Sequence, residues 1–401
     1  MEEETFIMEK FKKYYSTHWT KAPKQVHMRE FGFGGWSKKI ESRHYSFSSE
    51  KEMNAFLGRN APLFISHSEA HYNYPAARPI EKKNWMVGDL VFDIDANELG
   101  MPCTEKHKKE WVCEMCMDRA KECAMRLIDD FLVKDFNVPK EEIEVNFSGN
   151  RGYHIHVSTR FQTIKGYSRK EIADYVNANG LDYDHFFNVD PVHKRISGPK
   201  LSDGGWKGKI TEMLVDGIRN RTLEDLGITK KTAEKFYSRI DAADQIASGN
   251  WEAVYVSDKK KFFSNLVESI KRKKGAFVDE GVTFDTSKLI RMPDSIHGET
   301  GLLAQRIPMK DLERYDWTTK PVVFSDSPFR VYVKKSQQVI LKGQTFGPYE
   351  DKTLDLPEYA AVYLICKKAA VLAENKDKAI AVAKPAQTEA LKAEPETGEK
   401  V

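Results

Sequence analysis

The 401-residue chain contains no run of eighteen apolar residues, so no membrane-spanning helix is expected. Net charge is nearly absent as well, with 63 basic against 60 acidic side chains. Affinity for nucleic acid therefore has to come from local patches such as KRKKG (271–275) and DKKKFF (258–263), not from bulk charge. Cysteine is scarce: three of the five lie close to one histidine, which suits a metal in a reducing compartment better than a disulfide framework. The opening MEEETFIMEKFKKYY is acidic and amphipathic and lacks the apolar centre of a signal peptide, so a cytosolic location is expected, or a nuclear one in a nucleated cell. Aromatic residues are missing from about 376 onward, where Ala, Lys, Glu and Pro predominate, and this predicts a disordered tail. Before that point the 40% hydrophobic and 11% aromatic content is that of a globular chain with a substantial core.

Periodicity divides the chain. Residues 1–20 and 50–62 read as helices, and 28–36 with 42–47 as strands around a tight turn. Residues 67–79 are loop-like, and WMVGDLVFDID (85–95) reads as one buried strand. Cys116, Ala120, Cys123, Leu127 and Phe131 fall on one helical face. EIEVNFSG (142–149) and GYHIHVS (152–158) suggest a hairpin bent at SGNRG. From about 161 to 275 the pattern is mostly helical, with a capping-box signal in SRKE (168–171), a Gly-rich loop at 202–208, and helices near 222–240 and 259–271. Strand character returns at 282–293; residues 329–346 suggest a strand pair and 356–375 a helix.

Two acids interrupt the apolar strand LVFDIDAN (90–97). On a strand, Asp93 and Asp95 share one face about 6.6 Å apart along the chain, with Ile94 on the other. Burying like charges is costly unless a cation compensates. Such a pair suits two divalent ions about 3.5–4 Å apart, as in polymerases and nucleases. The bland alternative is one turn-capping and one solvent-exposed Asp. A third carboxylate is sought among Asp279, Asp285 and Asp294, and Asp285 is favoured because it precedes KLIRM, whereas Asp294 after Pro293 reads as a turn residue.

Two glycine-containing basic loops accompany the acids. In SGNRG (148–152) the glycines allow close backbone approach to an anion, and Arg151 offers a fork of donors, although an ordinary hairpin turn would look the same. His154 and His156 share a strand face, with phosphate contact or core hydrogen bonding favoured over metal ligation. RMPDSIHGETG (291–301) repeats this chemistry with Arg291, Ser295 and His297. Separately, Cys103, His107, Cys113 and Cys116 have the spacing of a closed structural Cys₃His zinc site, eight residues beyond Asp95, where it could pin the loop leaving the acidic strand. Cys123 and Cys366 read as core residues.

Taken together and in order, REFGF (29–33), YNYPAARPIEKKNW (72–85), DLVFDIDAN (89–97), the Cys/His cluster, SGNRGYHIHV (148–157) and DTSKLIRMPDSIHGETG (285–301) resemble the small, catalytic subunits of archaeo-eukaryotic DNA primases, the archaeal form above all. The resemblance implies a mixed α/β (α+β type) fold. Its mixed-sheet catalytic core would run over 1–160 and 276–375, with the zinc motif at about 103–116, a mostly helical insertion at 161–275 and a tail at 376–401. It implies DNA-templated primer synthesis, with Asp93, Asp95 and Asp285 holding Mg²⁺ or Mn²⁺. Ser148, Arg151, His154, Arg291 and His297 would bind nucleotide, and Cys103, His107, Cys113 and Cys116 would bind Zn²⁺. Implied partners are a large subunit carrying an iron–sulfur cluster, single-stranded DNA template, and ribo- or deoxyribonucleoside triphosphates, in the cytoplasm of an archaeal cell. Some archaeal members carry a basic residue two positions after the motif histidine; this chain has Glu299.

Three rival readings are weighed. A primase-like repair or end-joining polymerase would often lack the zinc cluster. A zinc-containing nucleic-acid-binding protein without catalysis leaves the acid pair and the phosphate loops unexplained. A metal-dependent phosphohydrolase accounts for the DxD alone.

Overall fold

The computed structural model describes residues 2–158, 160–189, 196–254, 256 and 258–381. They form two compact units, one drawn from Met1–Lys121, Glu144–Thr163 and Asp285–Val401, the other from Glu122–Ile143 and Ile164–Phe284. The architecture is mixed α/β with antiparallel sheets. No helix among the described residues is long and apolar enough to cross a membrane.

In the first unit, α1 (Glu2–Thr17) buries Ile7, Phe11 and Tyr15, and α2 (Glu50–Asn60) is capped by the Ser49 side chain. Strands β1 (Phe31–Gly34), β2 (Ser42–Tyr45) and β3 (Phe64–Ser68) join the strand Leu289–Arg291 in one four-stranded sheet, with β3 and β1 central. Next along the chain come β4 (Ala70–Tyr72), β5 (Trp85–Gly88) and β6 (Leu90–Asp95). A second four-stranded sheet has the order Arg306–Ile307, β7 (Ile143–Phe147), β8 (Gly152–Val157), β6. Leu90, Val91, Phe92 and Ile94 are all fully buried, as the apolar half of LVFDIDAN requires.

Several local expectations are corrected. The segment 85–95 is two strands: β5 pairs with β4, whereas β6 pairs with β8, and the chain changes partner at Asp89. Residues 67–68 and 70–72 are strand and not loop; polar side chains such as Ser68 are buried there with their bonds made internally, which hides the strands from a hydrophobic pattern. The strand Pro328–Lys335 pairs with Glu350–Pro357 and Ala370–Leu372, while Val339–Leu341 and Gln344–Phe346 form a separate hairpin. The helix expected over 356–375 stops at Cys366, because Lys368 turns with φ 58° and the chain re-enters a sheet at Ala370. Residues 376–381 are helical, and the rest of the expected tail lies outside the described residues.

The second unit is mostly helical. Its helix Tyr167–Asn177 is capped by Gly166 and not by a box at Ser168, which lies inside the first turn. The Gly-rich segment 202–208 is no loop throughout, since the helix Gly205–Arg219 starts within it. Buried Lys209 is neutralised by Asp135 at 2.5 Å.

The partner change at Asp89 has a physical cause. Arg29 donates from Nη1 to the Ser68 and Glu69 carbonyls at 2.8 and 3.0 Å and from Nη2 to Asp89 Oδ2 at 2.5 Å. The Gln162 amide donates to Asp89 Oδ1 at 2.7 Å. One buried ion pair thus ties the end of β3 to the start of β6. Burial would raise the Asp89 carboxyl, but Arg29 outweighs it and holds the carboxyl at about 2. An unfolded Asp titrates near ~3.9, so this stabilisation is complete above about pH 4 and is lost as pH falls through about 2. Asp89→Asn should cost about 3–5 kcal/mol at neutral pH, since it strands the buried guanidinium. In urea melts the variant should lose less midpoint than wild type between pH 5 and pH 2; parallel losses would refute the linkage.

Candidate active site

A cleft of about 230 Å³ opens between the two four-stranded sheets of the first unit. The β6–β8 register places Asp93 opposite His154 and Asp95 opposite Gly152. Both acids are half-buried and both line the cleft. Ser148 and Arg151 enter from the loop between β7 and β8, Arg291 from the strand Leu289–Arg291, and His297 from the loop beyond it. Seven of the eight residues singled out around the acids and phosphate loops are thereby brought to one cavity.

The acids meet different neighbours. Asp95 Oδ2 accepts from Arg151 Nη2 at 2.8 Å, and its Oδ1 accepts from the Asn97 amide at 2.9 Å. His154 Nε2 lies 3.5 Å from Asp93 Oδ1. Burial, reinforced by His156 and Arg291, pushes the His154 imidazole down to about 3, so it is neutral at physiological pH. His156, two residues on, leaves the cleft and faces a small cavity with Glu144 and Arg306, stacked 6.2 Å from His67.

Glycine is required twice in the loop. A Cβ on Gly152 would lie 1.8 Å from the Ile94 carbonyl oxygen, and Gly149 has φ 82° with its Cβ position 2.9 Å from His297 Cβ. The backbone N–H groups of Asn150, Arg151 and Gly152 point at Ser148 Oγ, 3.1–3.3 Å away, so the hydroxyl organises the donors expected to face an anion. Thr300 ties this loop to the second one through the Gly149 carbonyl at 2.5 Å. The Glu299 amide donates to His297 Nδ1 at 3.1 Å, which leaves the proton of the neutral ring on Nε2 as a donor. Burial holds this histidine well below its ordinary value. Desolvation draws the Arg291 guanidinium down to about 10. The Nε atoms of both Arg291 and Arg151 are buried without a partner among the described residues, the condition an anion would relieve.

Asp285 is not a lining residue of this cleft. It lies on the loop before Leu289, where its Oδ1 accepts from the Ser287 amide and hydroxyl at 2.9 and 2.6 Å. Arg43, held bidentate by buried Glu30, donates to the Ser287 carbonyl at 3.1 Å and steadies that loop. Asp294 has φ 62° and pairs with Arg306, the turn role expected of it. Asp279 accepts from the Gly281 amide at the start of the helix Glu280–Phe284, in the other unit. Sequence reasoning missed Lys39, which lines the cleft, and the roles of Glu30 and Arg43, which hold the loop carrying Asp285.

The four ligand atoms of Cys103, His107, Cys113 and Cys116 lie within 4.8 Å of one another, the one such set of three or more among the described residues. Sulfurs bound to zinc at about 2.3 Å in a tetrahedron stand about 3.8 Å apart. Cys113 and Cys116 have that separation, 3.8 Å, and His107 Nε2 is 3.6 Å from the Cys116 sulfur. His107 Nδ1 is 2.9 Å from the Lys108 carbonyl, which fixes the tautomer that leaves Nε2 as ligand. The donor set therefore fits zinc. The same segment reaches the cleft, since the Lys109 carbonyl accepts from Arg151 Nη1 at 3.0 Å and also from the Asn97 amide group.

Comparison with known proteins follows the same outline. The family model for the DNA primase small subunit matches residues 92–307. The DNA primase small subunit PriS of Methanococcoides burtonii is 32% identical over 394 residues, covering 91% of this chain and 97% of that protein. Its counterpart in Nitrosopumilus maritimus is 28% identical over 398 residues, covering 92% and 98%. That of Thermoplasma acidophilum is 27% identical over 371 residues, covering 91% and 99%.

The Cys/His geometry predicts about one zinc per purified chain. Cys116→Ser should lower the zinc content several-fold and depress the melting temperature, because metal binding and local folding are linked. Elemental analysis showing unchanged zinc in the variant would refute the assignment.

Proposed function

The chain belongs to the DNA primase small subunit family, and from that membership we propose that the cleft around Asp93 and Asp95 is its catalytic centre. The chain is the catalytic subunit of a DNA primase, a DNA-directed nucleotidyltransferase that makes primers. The observation that carries the site reading is the convergence of two acids with Arg291, His297 and the Ser148–Gly152 loop on one cavity.

Asp93 and Asp95 would hold Mg²⁺ or Mn²⁺, which supplies charge to acidify a 3′-hydroxyl and to hold a triphosphate; Asp285, off the cleft wall on the loop before Leu289, is assigned as third ligand on the family resemblance alone. His154, neutral and beside Asp93, orients that carboxylate without competing for positive charge. Arg291 and the Nε2–H of His297 donate to phosphate oxygens, and Ser148 keeps its loop in the shape that receives them. The reaction is attack of the 3′-hydroxyl on the α-phosphorus with loss of pyrophosphate, and positioning with charge stabilisation provides the acceleration. No Ser–His–Asp arrangement is needed.

The Cys/His cluster would hold structural zinc and brace Arg151 through the Lys109 carbonyl. We assign catalysis to the first unit and read the helical second unit as the variable lobe. A primase large subunit, single-stranded DNA template and nucleoside triphosphates are the partners, in the cytoplasm of an archaeal cell.

Asp95→Ala should lower primer synthesis on single-stranded DNA by at least ~10²-fold, with unchanged circular dichroism, when assayed with the large subunit present. A folded variant with undiminished synthesis would place the catalytic acids elsewhere.

A further inference from the structure

The chain as a whole is nearly neutral, yet no acid stands between Glu9 and Glu30. Besides buried Arg29, that stretch holds Lys10, Lys12, Lys13, Lys21 and Lys24. It forms the end of α1 and the segment after it, in the unit that carries the acid cleft, whereas the basic runs at 258–263 and 271–275 lie in the other unit. Among the described residues only Lys10 of these lysines is ion-paired, to Glu358 at 2.6 Å. The other four are exposed.

Aromatic rings lie among these cations. Tyr14 and His18, one helical turn apart, stack with centroids 4.3 Å apart and planes within 8°. Trp19 follows, the exposed one of seven tryptophans, with 63% of its surface open. That exposure is not the looseness of a free end. Glu50 of α2 accepts from the Trp19 indole N–H at 2.5 Å and from the Ala22 amide at 2.8 Å. Buried Thr20 exchanges two hydrogen bonds of 2.8 Å with the Asn54 side chain, also on α2. The backbone on either side of a solvent-facing indole is thus held in place, and a rigidly presented ring loses little entropy on binding. The segment is also tied to the elements that frame the cleft. The Tyr15 hydroxyl accepts from the Ile296 amide at 2.9 Å, one residue before His297 of the cleft wall. Lys24 donates to Ser158 Oγ at 3.4 Å, just past β8.

We propose that this patch grips single-stranded DNA outside the cleft, stacking bases on Trp19 and on the Tyr14–His18 pair while Lys13, Lys21 and Lys24 meet the phosphates. Aromatic faces interleaved with cations hold a single strand without reading its sequence, because every base has a π-face and every nucleotide a phosphate. An apolar protein surface would cover the indole but leave the lysines without anions. Glu50 is already engaged by Trp19 and Ala22, and Asp294 by Arg306, so an outside anion is left to meet the cations. A strand held there is anchored before any paired 3′ end exists, as primer synthesis on a bare template requires. The proposal rests on single-stranded DNA as the template and not on the metal role of Asp93 and Asp95.

The test uses the full-length, zinc-loaded chain and a fluorescein-labelled oligothymidylate, without nucleotide, followed by anisotropy over a range of salt. Trp19→Ala should weaken binding about tenfold, the scale of one stacked base, with the salt slope unchanged. Trp19→Phe, which keeps a ring, should restore most of that loss. The double variant Lys21→Met, Lys24→Met should flatten the slope of log affinity against log salt by about 1.4, as expected for two single-strand phosphate contacts. Circular dichroism of each variant should match wild type, since these side chains are on the surface. Wild-type affinity in Trp19→Ala, or an unchanged slope in the lysine variant, would overturn the proposal. So would variants that bind the oligonucleotide normally but no longer co-elute with the large subunit, which would make the patch a protein interface. If the wild-type chain itself does not bind the oligonucleotide, the template reading falls together with the proposal.

Discussion

Two carboxylates on one face of a buried strand repel each other, and the surroundings of β6 are arranged to hold them there. Asp95 is met by Arg151 at 2.8 Å, while Asp93 faces a neutral His154. Both neighbours come from β8 or the loop before it, so the β6–β8 register decides the electrostatics of the cleft. That register demands glycine at 152, where any side chain would run into the Ile94 carbonyl. A like-charged pair is therefore built into one face of the fold, the arrangement expected of a site completed by cations.

The scaffold keeps this arrangement through buried polar joints as much as through apolar packing. Arg29 and Asp89 secure the point where the chain leaves one sheet for the other. Glu30, Arg43 and the Ser287 carbonyl fasten the loop that carries Asp285. The Cys/His segment adds a third joint, since the Lys109 and Glu110 carbonyls hold Arg151 and Lys367. In the first two joints a buried carboxylate meets a guanidinium, and so the removal of one member leaves a buried charge uncompensated.

What the sequence disclosed follows from these physics. The acid pair, the glycine loops and the Cys/His spacing stood out as short patterns; the structure brings the first two to one cleft and the ligand atoms of the third within 4.8 Å of one another. The α1 and α2 helices and the face running from Cys116 to Phe131 were legible from apolar periodicity. The split of 85–95 was not, because nothing local marks Asp89 as the partner of an arginine sixty residues earlier. Residues 67–72 hid for a related reason: His67, Ser68, Glu69 and His71 are buried although polar, with Ser68 accepting from the distant Glu30 amide. Lys39 and Lys367 belong to no pattern, and only the tertiary structure places them beside Arg151 and Glu299.

The central claim is that Asp93 and Asp95 take divalent metal. Titration of the zinc-loaded chain with Mn²⁺, followed by electron paramagnetic resonance, addresses it without requiring turnover. Wild type should bind Mn²⁺, and the Asp93→Asn, Asp95→Asn double variant should bind it at least ~10-fold more weakly while retaining its zinc. Equal Mn²⁺ affinity in the two proteins would contradict the account.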